Sequence, residues 1–414
     1  MVSRRTILGS TVGLALLPAV AKAAPLAAEP VANLAAKARP IGPEERAARL
    51  AKVQQLMQAA GIGALLVEPG SSLVYFTGVQ WWRSERLTAA LIPAEGDITV
   101  VTPFFEAPSI RESLAVPAAI RTWNEHENPL ALVASWLREK KLAGKPVAIE
   151  ETVRHFIVDG LQKALPGVQV VNGAGVVRAC RMHKSAAEIA LMKTAADITT
   201  EAFRRVGAQV AAGMTPDDIN ALIMAETAKL GGKGGDALVL LGEASAYPHG
   251  SGKPQAVREG EVILLDGGCS VHGYVSDISR TFVFGEPTKR QRDVWAQMRQ
   301  GQQIAFEAAQ NGRRCGAVDD AVRAWYEKIG YGPGYALPGL SHRTGHGIGM
   351  DGHEPVNLVH GEMTPLAEGM CFSNEPGLYI PGSFGIRLED CFHMTAKGPE
   401  WFSVPPSSID RPFG

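Results

Sequence analysis

The sequence has no excess of charge of either sign. Its 41 lysines and arginines nearly balance 42 aspartates and glutamates, which leaves a formal net charge of -1. Proteins that bind nucleic acid or an anionic membrane surface through electrostatics usually carry a clear basic excess. The charge balance gives no support for such partners, and we predict that the protein does not bind nucleic acid.

Cysteine is scarce, and the five copies are odd in number and widely spaced. They include no C-x-x-C pair: Cys180, Cys269, Cys315, Cys371 and Cys391. A disulfide framework would use an even set, and a zinc or redox site would use closely spaced pairs. We therefore expect free cysteines that are buried as small apolar residues.

The N-terminus lacks a hydrophobic run long enough to cross a membrane comfortably. The apolar run over residues 7–20 is short and contains Gly, Ser and Thr. The pair Arg4-Arg5 precedes it and A-K-A follows at residues 21–23, which is typical of a twin-arginine signal peptide. We predict a signal peptide over residues 1–23, export of the folded chain by the twin-arginine machinery, and a periplasmic location. A plain secretory signal or an uncleaved anchor is the alternative.

The remaining chain is long enough for two domains, and its 46% apolar and 20% charged residues are typical of a soluble globular protein. Residues 24–43 are rich in Ala and Pro and are predicted to form a tether. Alternating helical and strand-like patterns predict an α/β domain over residues 44–175. Within it, the adjacent Trp81 and Trp82 are costly to expose, and we predict that they line a substrate pocket or contact a partner subunit. Ordinary core packing is the alternative.

Residues 176–414 are predicted to form an α+β catalytic domain. Long helical patterns are followed by β-rich segments bounded by Gly and Pro, which favours a mostly antiparallel sheet. Gly347, Gly349 and Gly352 spell G-x-G-x-x-G, but a dinucleotide-binding loop must open a helix, and Pro355 makes a helix here unfavourable. An NAD-dependent oxidoreductase is therefore the weaker hypothesis, and we expect the glycines to give the backbone room to pass close to a substrate.

Four acids and one histidine stand beside these β-rich segments. We predict that Asp266 ends an apolar strand in "VILLDGG" and that Asp277 follows across a hairpin turn. Glu375 and Glu389 lie in two further strand-like pieces. Carboxylates that share a pocket stay ionised only if a cation neutralises them. Bridging carboxylates with an imidazole, for which His346 is the natural candidate, predict two divalent metal ions.

Five segments resemble, in order, the metal-ligand segments of the creatinase/prolidase or "pita-bread" family of metallopeptidases: "LLDGG", "YVSDISRTF", "GHGIGMDGHE", "SNEPGLY" and "GIRLED". The resemblance covers residues 180–405, and "YFTG" and "SERL" in the first domain are similar to phrases of the proline-directed members. It implies a C-terminal pita-bread fold with a curved, mostly antiparallel sheet, preceded by a smaller creatinase-like α/β domain.

The resemblance also implies the metal ligands. Asp266 would bind one metal, His346 and Glu375 would bind the other, and Asp277 and Glu389 would bridge both. Manganese is our first choice of metal, with cobalt, zinc and iron as alternatives. A hydroxide held between the metals would attack a peptide carbonyl, and Glu375 would pass the proton to the leaving nitrogen.

Four further residues receive roles from the same resemblance. His249 would contact the substrate near the scissile bond, and His353 would stabilise the oxyanion of the tetrahedral intermediate. Arg387 would buttress the site, and His342 would help to form the pocket beyond the scissile bond.

The implied activity is hydrolysis of the bond before proline in dipeptides or at peptide N-termini, by a homodimer or larger homo-oligomer whose first domain closes over a partner's site. "GHGIGMDGHE" departs from the "GHxLGLxxH" of many proline-directed members and shares the glycine pattern of methionine aminopeptidases. The strictness of the proline preference and the choice between aminopeptidase and dipeptidase therefore stay open. The alternatives are a non-proline-specific aminopeptidase, a creatinase-like C–N hydrolase acting on a non-peptide substrate, and a catalytically silent binding protein.

Overall fold

A computed structural model describes residues 32–413 of the chain. The predicted signal peptide and the first part of the predicted tether lie outside the described residues. A short 3₁₀ helix forms at Leu34–Lys37, and helix α1 (Pro43–Ala59) follows it. Within residues 32–413, no helix combines the length and the apolar character that a membrane span needs.

The first domain is built on a mixed six-stranded sheet. In chain order its strands are β1 (Ala64–Val67), β2 (Ala89–Pro93), β3 (Ile98–Pro103), β4 (Ala118–Trp123), β5 (Val147–Ile149) and β6 (Val170–Asn172). They lie in the order β4-β3-β2-β1-β5-β6. The two pairings among β1, β2 and β3 are antiparallel and the three outer pairings are parallel. Every residue of the central strands is buried, as expected where helices cover both faces.

Helices cover both faces of this sheet. After α1 they are α2 (Ser71–Thr77), α3 (Ala107–Ser113), α4 (Pro129–Glu139), α5 (His155–Ala164) and α6 (Ala174–Arg181). Neighbouring residues of β1 enter different cores, because side chains alternate along a strand. Leu65 packs with Met57 of α1, whereas Leu66 packs with Trp136 of α4.

The second domain opens with the helices that the sequence predicted. They are α7 (Ala186–Gly207) and α8 (Pro216–Leu230), and two more follow later, α9 (Lys289–Ala308) and α10 (Gly316–Lys328). Helix α7 begins at a capping box in which Ser185 and Glu188 exchange hydrogen bonds, and Thr215 and Asp218 do the same for α8. These boxes fix the residues at which the two helices begin.

All strand pairings of the second domain are antiparallel. The strands are β7 (Lys233–Leu241), β8 (Val262–Val271), β9 (Tyr274–Val275), β10 (Ile278–Val283), β11 (Gly345–Gly347), β12 (Glu354–Leu358), β13 (Cys371–Phe372), β14 (Leu378–Ile380), β15 (Phe384–Ile386), β16 (Phe392–Thr395) and β17 (Gly398–Trp401). One sheet has the order β10-β8-β7 with β9 beside β8, a second has the order β12-β11-β13-β16-β17, and β14 pairs with β15. The predicted α+β architecture with a mostly antiparallel sheet is confirmed.

Asp266 lies in the middle of β8, so the prediction that it ends a strand is wrong. The apolar run stops there, but β8 continues to Val271 because neighbouring strands pair with both of its halves, and Asp266 lies opposite Ser279 of β10. The predicted turn between β8 and β9 is confirmed. His272 and Gly273 have φ angles of 49° and 86°, which are the left-handed values that a two-residue hairpin turn of type I′ requires.

The segment from residue 344 to residue 355 contains no helix, as predicted. The explanation offered for its glycines is wrong, however, because protein atoms fill the space beside two of them. A Cβ on Gly347 would lie 2.6 Å from the carbonyl oxygen of Glu354, and a Cβ on Gly349 would lie 2.8 Å from a carboxylate oxygen of the same residue. At Gly352 a Cβ would meet open space. Close packing of β11 and the following turn against Glu354 therefore excludes side chains at the first two positions.

All five cysteines are buried and free. The prediction that they behave as small apolar residues is confirmed.

Candidate metal centre

The five predicted metal-binding side chains converge from five separate segments of the second domain. Asp266 lies in β8 and Asp277 lies between β9 and β10. His346 lies in β11, Glu375 follows β13, and Glu389 follows β15. An isolated antiparallel bridge between Ser279 and Glu389 joins the last of these segments to β10, which brings the two sheets together at the site.

The side-chain atoms that could bind metal lie close together. His346 Nε2 is 3.4 Å from Glu375 Oε1, 3.8 Å from Asp277 Oδ2 and 4.0 Å from Glu389 Oε1. The possible ligand atoms of His346, Glu375 and Glu389 lie within 4.8 Å of one another, and so do those of Asp266, Asp277 and Glu389. Two groups that share one carboxylate suit two neighbouring ions. The assignment of the five residues as ligands stays a prediction.

The pKa values of three of the four carboxyl groups are raised, which means that ionising the whole cluster costs free energy. Burial, followed by repulsion from neighbouring carboxylates, raises the pKa of Asp277 and of Glu389 well above their ordinary values. Burial raises the pKa of Glu375 to about 7. Burial also opposes the ionisation of Asp266, but the charge of Arg387 together with side-chain hydrogen bonds, including that of Ser279, outweighs burial and lowers the pKa of that carboxyl group. Cations placed among these groups would relieve the repulsion.

The donor set fits divalent metal ions. Glu389 Oε1 is buried and has no hydrogen-bond partner among residues 32–413. His346 Nδ1 lies 3.1 Å from the Gly347 carbonyl oxygen, so we assign the ring proton to Nδ1, which leaves a lone pair on Nε2. Burial and the neighbouring His353 lower the pKa of His346 to about 3, which keeps the ring neutral. A lone pair that faces carboxylate oxygens is repelled by them unless a cation lies between.

Ser279 and Arg387 support the carboxylates. The Ser279 Oγ atom lies 2.6 Å from Asp266 Oδ1 and 2.9 Å from Glu389 Oε2. Arg387 donates from Nη2 to Asp266 Oδ2 at 2.5 Å and from Nε to Ser279 Oγ at 3.2 Å. Sequence reasoning missed Ser279. The signal was present, because Ser279 stands two residues after Asp277 in a strand-like segment, and alternate residues of a strand share a face.

A second missed feature is a fully buried ion pair beside the cluster. Arg280 donates from Nη2 to Asp390 Oδ1 at 2.7 Å, and both side chains are shielded from solvent. Arg280 also donates from Nη1 to the Glu389 carbonyl oxygen at 2.9 Å. The pair therefore fixes the backbone on either side of a predicted bridging ligand.

The five side chains line a cavity of about 430 Å³ together with every histidine that the sequence singled out. His249 and His353 are exposed at its mouth. The rings of His353 and His346 have centroids 4.1 Å apart, and burial lowers the pKa of His353.

His342 Nε2 lies 2.7 Å from the Tyr379 hydroxyl, to which Arg387 donates at 2.9 Å. Burial and then the charge of Arg387 lower the pKa of His342 to about 4.

Four residues of the cavity wall were given no role from the sequence: Pro248, Tyr335, Arg343 and Val359. Arg343 and Tyr335 are the two that carry a charge or an aromatic ring. They lie in the connection between α10 and β11, where no regular pattern gives the direction of a side chain.

Trp81 and Trp82 lie elsewhere in this chain. Their rings stack with centroids 4.4 Å apart, and Trp81 Nε1 donates to Glu106 Oε2 at 3.1 Å. Trp82 is 65% exposed, and neither residue belongs to the lining of the metal cavity. Their contact with a partner subunit stays a prediction.

Comparisons with known proteins agree with both domains. Residues 190–396 match the model of metallopeptidase family M24, and residues 49–183 match the creatinase/prolidase N-terminal domain. A relative from Lactobacillus helveticus named Xaa-Pro dipeptidase is 30% identical over 368 residues, which cover 86% of this chain and 96% of the relative.

Two solved structures are similar in fold. The dipeptidase PepE from Mycobacterium ulcerans has a TM-score of 0.81 and 30% identity, and the match covers 89% of this chain and 98% of that chain. The X-Pro aminopeptidase from Thermotoga maritima has a TM-score of 0.77 and 28% identity, and the match covers 87% and 98%. The pita-bread fold behind a creatinase-like domain is thereby confirmed, and the chain belongs to metallopeptidase family M24, whose hydrolases depend on divalent metal ions.

Proposed function

We propose that the protein is a dinuclear metal-dependent dipeptidase that hydrolyses Xaa-Pro bonds. The observation that carries the proposal is the cluster of four carboxylates around a neutral imidazole, in which a buried oxygen of Glu389 has no partner among the described residues. Relatives named Xaa-Pro dipeptidase and prolidase support the choice of substrate.

Asp266 would hold one ion, His346 and Glu375 would hold the other, and Asp277 and Glu389 would bridge them. Two divalent ions in this site would supply a Lewis acid for the peptide carbonyl and lower the pKa of water. Manganese is the first choice, because carboxylate oxygens outnumber nitrogen ligands.

The chain's own residues would move the protons and bind the developing charge. Glu375 has a pKa raised to about 7 by burial, so its carboxylate can take a proton from the attacking water and return it to the leaving nitrogen. His353 lies beside His346 and would donate a hydrogen bond to the carbonyl oxygen as negative charge builds on it. His249, which also lines the cavity, would contact the substrate near the scissile bond.

Arg343 favours a dipeptidase over an aminopeptidase. It lines the cavity, and no carboxylate among residues 32–413 forms a salt bridge with it. The free carboxylate of a dipeptide would lie within a few ångströms of the scissile bond and would pair with this guanidinium. A longer peptide would bring an uncharged amide to the same place.

We also propose that the protein acts in the periplasm after twin-arginine export and that it forms a homodimer or larger homo-oligomer. The Arg4-Arg5 pair and the A-K-A at residues 21–23 support the export route. Cell fractionation of the wild type and of a double lysine variant at the arginine pair tests it, since retention of activity in the periplasm of the variant would contradict the route. Light scattering of the purified protein tests the oligomer, and a monomer would contradict it.

Hydrolysis assays test the activity. Purified protein loaded with Mn, Co or Zn should cleave Ala-Pro, and should cleave Ala-Pro-Ala poorly. Asp277→Asn should abolish cleavage, because a bridging carboxylate is lost, whereas the exposed Asp97→Asn should leave it unchanged. Full activity of the Asp277 variant, or tight binding of fewer than two ions per chain by metal analysis, would overturn the proposal. Equal cleavage of the tripeptide would favour an aminopeptidase instead.

A further inference from the structure

We propose that Tyr335 is a specificity-determining residue whose ring packs against the proline ring of the substrate, and that Arg323 is the positioning residue that holds it there. This inference rests on the proposed Xaa-Pro dipeptidase function and names the surface that would recognise proline.

Tyr335 stands at the mouth of the metal cavity. It lines the same cavity as the five predicted ligands, and 49% of the residue is exposed. Most of the lining residues are charged or imidazole-bearing, Pro248 and Val359 are the other apolar ones, and Tyr335 supplies the one phenol ring among them. A half-exposed aromatic ring beside a catalytic cluster gains most when a substrate covers it.

Arg323 fixes the position of this ring. Its guanidinium carbon lies 3.9 Å from the centroid of the Tyr335 ring and covers one face of it. The same guanidinium donates to the carbonyl oxygens of Gly334 at 2.7 Å, of Leu340 at 3.1 Å and of His342 at 2.6 Å. These carbonyls lie on both sides of Tyr335 in the chain, so one side chain holds the loop that carries the ring.

A buried carboxylate ties this loop to the predicted metal ligands. Asp319 on α10 accepts from Arg323 Nε at 2.7 Å. Its other oxygen accepts from the backbone nitrogen of Thr344 at 3.1 Å and from its hydroxyl at 2.7 Å. Thr344 stands two residues before His346, so the same carboxylate holds both the loop that carries Tyr335 and the strand that carries a predicted ligand. The distance between the Tyr335 ring and the metal site is therefore set by the folded protein and not by the substrate.

The surface formed by the Tyr335 ring suits a proline side chain better than other side chains. A pyrrolidine ring is compact, rigid and apolar, so it can pack on the free face of the Tyr335 ring at little cost in conformational entropy. An alanine methyl group would reach less of the ring. A lysine or arginine side chain would meet the positive charges of Arg323 and Arg343.

Steady-state kinetics of the manganese-loaded protein test this inference. Ala-Pro and Ala-Ala would be compared in the wild type, Tyr335→Ala, Tyr335→Phe and Arg323→Lys. We expect Tyr335→Ala to lower kcat/KM for Ala-Pro about three- to tenfold through KM, and to change Ala-Ala less than twofold. Tyr335→Phe should keep the wild-type ratio of the two substrates, because it keeps the ring. Arg323→Lys should lower the ratio while kcat is retained.

Phe156→Ala is a matched control, because Phe156 is also exposed, at 42%, and lies under the guanidinium of Arg154, but does not line the metal cavity. This variant should behave as the wild type. An unchanged Ala-Pro to Ala-Ala ratio in Tyr335→Ala, with full manganese content, would refute the inference alone. A wild type that cleaves neither dipeptide would refute the proposed function and the inference together. If Arg323→Lys does not fold, the two Tyr335 variants decide the outcome.

Discussion

Replacing Glu354 by Gln should destabilise the metal-free protein by about 3 kcal/mol at neutral pH. Glu354 begins β12 and is 6% exposed. Its carboxylate accepts from Lys184 Nζ at 3.0 Å and from Arg181 Nη2 at 2.6 Å. The glutamine keeps the shape of the side chain but removes the charge that these two cations face.

The magnitude follows from the pKa. Burial disfavours the charged form, but Lys184 and Arg181 outweigh burial and lower the pKa of Glu354 from 4.5 to about 2. Each pKa unit corresponds to about 1.4 kcal/mol, so the carboxylate contributes about 3 kcal/mol to folding at neutral pH. The pKa is lower in the folded state than in the unfolded state. The contribution is therefore fully present above pH 4.5 and is lost as the pH falls through 2.

Thermal unfolding of the wild type and Glu354→Gln between pH 3 and pH 7 measures this difference. Unfolding entropy for a chain of this length is roughly 0.8 kcal/mol/K, so we expect Tm to fall by about 4 °C at pH 7. The free-energy difference should be about half as large at pH 3 as at pH 5. The exposed Glu95→Gln is the control and should unfold with the wild type. A Tm within 1 °C of the wild type at pH 7, or a difference that does not shrink in acid, would refute the reasoning.

Three further predictions concern the metal cavity. Arg343→Ala should raise KM for Ala-Pro at least tenfold with little change in kcat, because the substrate carboxylate loses its partner; an unchanged KM would argue against the dipeptidase assignment. Ser279→Ala should weaken manganese binding about 10- to 100-fold in calorimetric titrations, because the hydroxyl contacts both Asp266 and Glu389; wild-type affinity would contradict this role. Manganese should bind more tightly at pH 8 than at pH 6, because burial and mutual repulsion raise the pKa values of Asp277, Glu389 and Glu375, the last to about 7, and protons then compete with the metal. A pH-independent Kd would contradict this competition.

The elements of the fold were predictable where a local pattern and a local signal coincide. Helix α7 follows from its apolar spacing and from the Ser185 capping box, and the β8–β9 turn follows from the residues around Gly273. The five ordered motifs predicted which residues cluster, because each predicted ligand stands in a short segment that resembles a motif of the family. The ends of strands were harder, because pairing with neighbours carried β8 past Asp266.

The parts of the site that escaped prediction depend on contacts between distant segments. Arg280 and Asp390 form a buried pair although 110 residues separate them. Each residue alone is an ordinary charge in a strand-like segment, and only the bridge between the two sheets brings them together. Tyr335 and Arg343 lie in an irregular connection whose shape is set by hydrogen bonds to α10, and no periodicity in the sequence gives that shape.

The order of the predicted ligands along the chain bears on when the protein can acquire metal. The first, Asp266, and the last, Glu389, are separated by about half of the second domain, and each sheet supplies only part of the set. During synthesis, a chain that has not reached Glu389 lacks one of the two predicted bridging carboxylates and leaves Ser279 without its second partner. With this ligand set, metal binding would be coupled to completion of the domain. If the proposed twin-arginine export takes place, the metals of the cytoplasm, where the chain folds, would decide which metal is bound, and those of the periplasm would not.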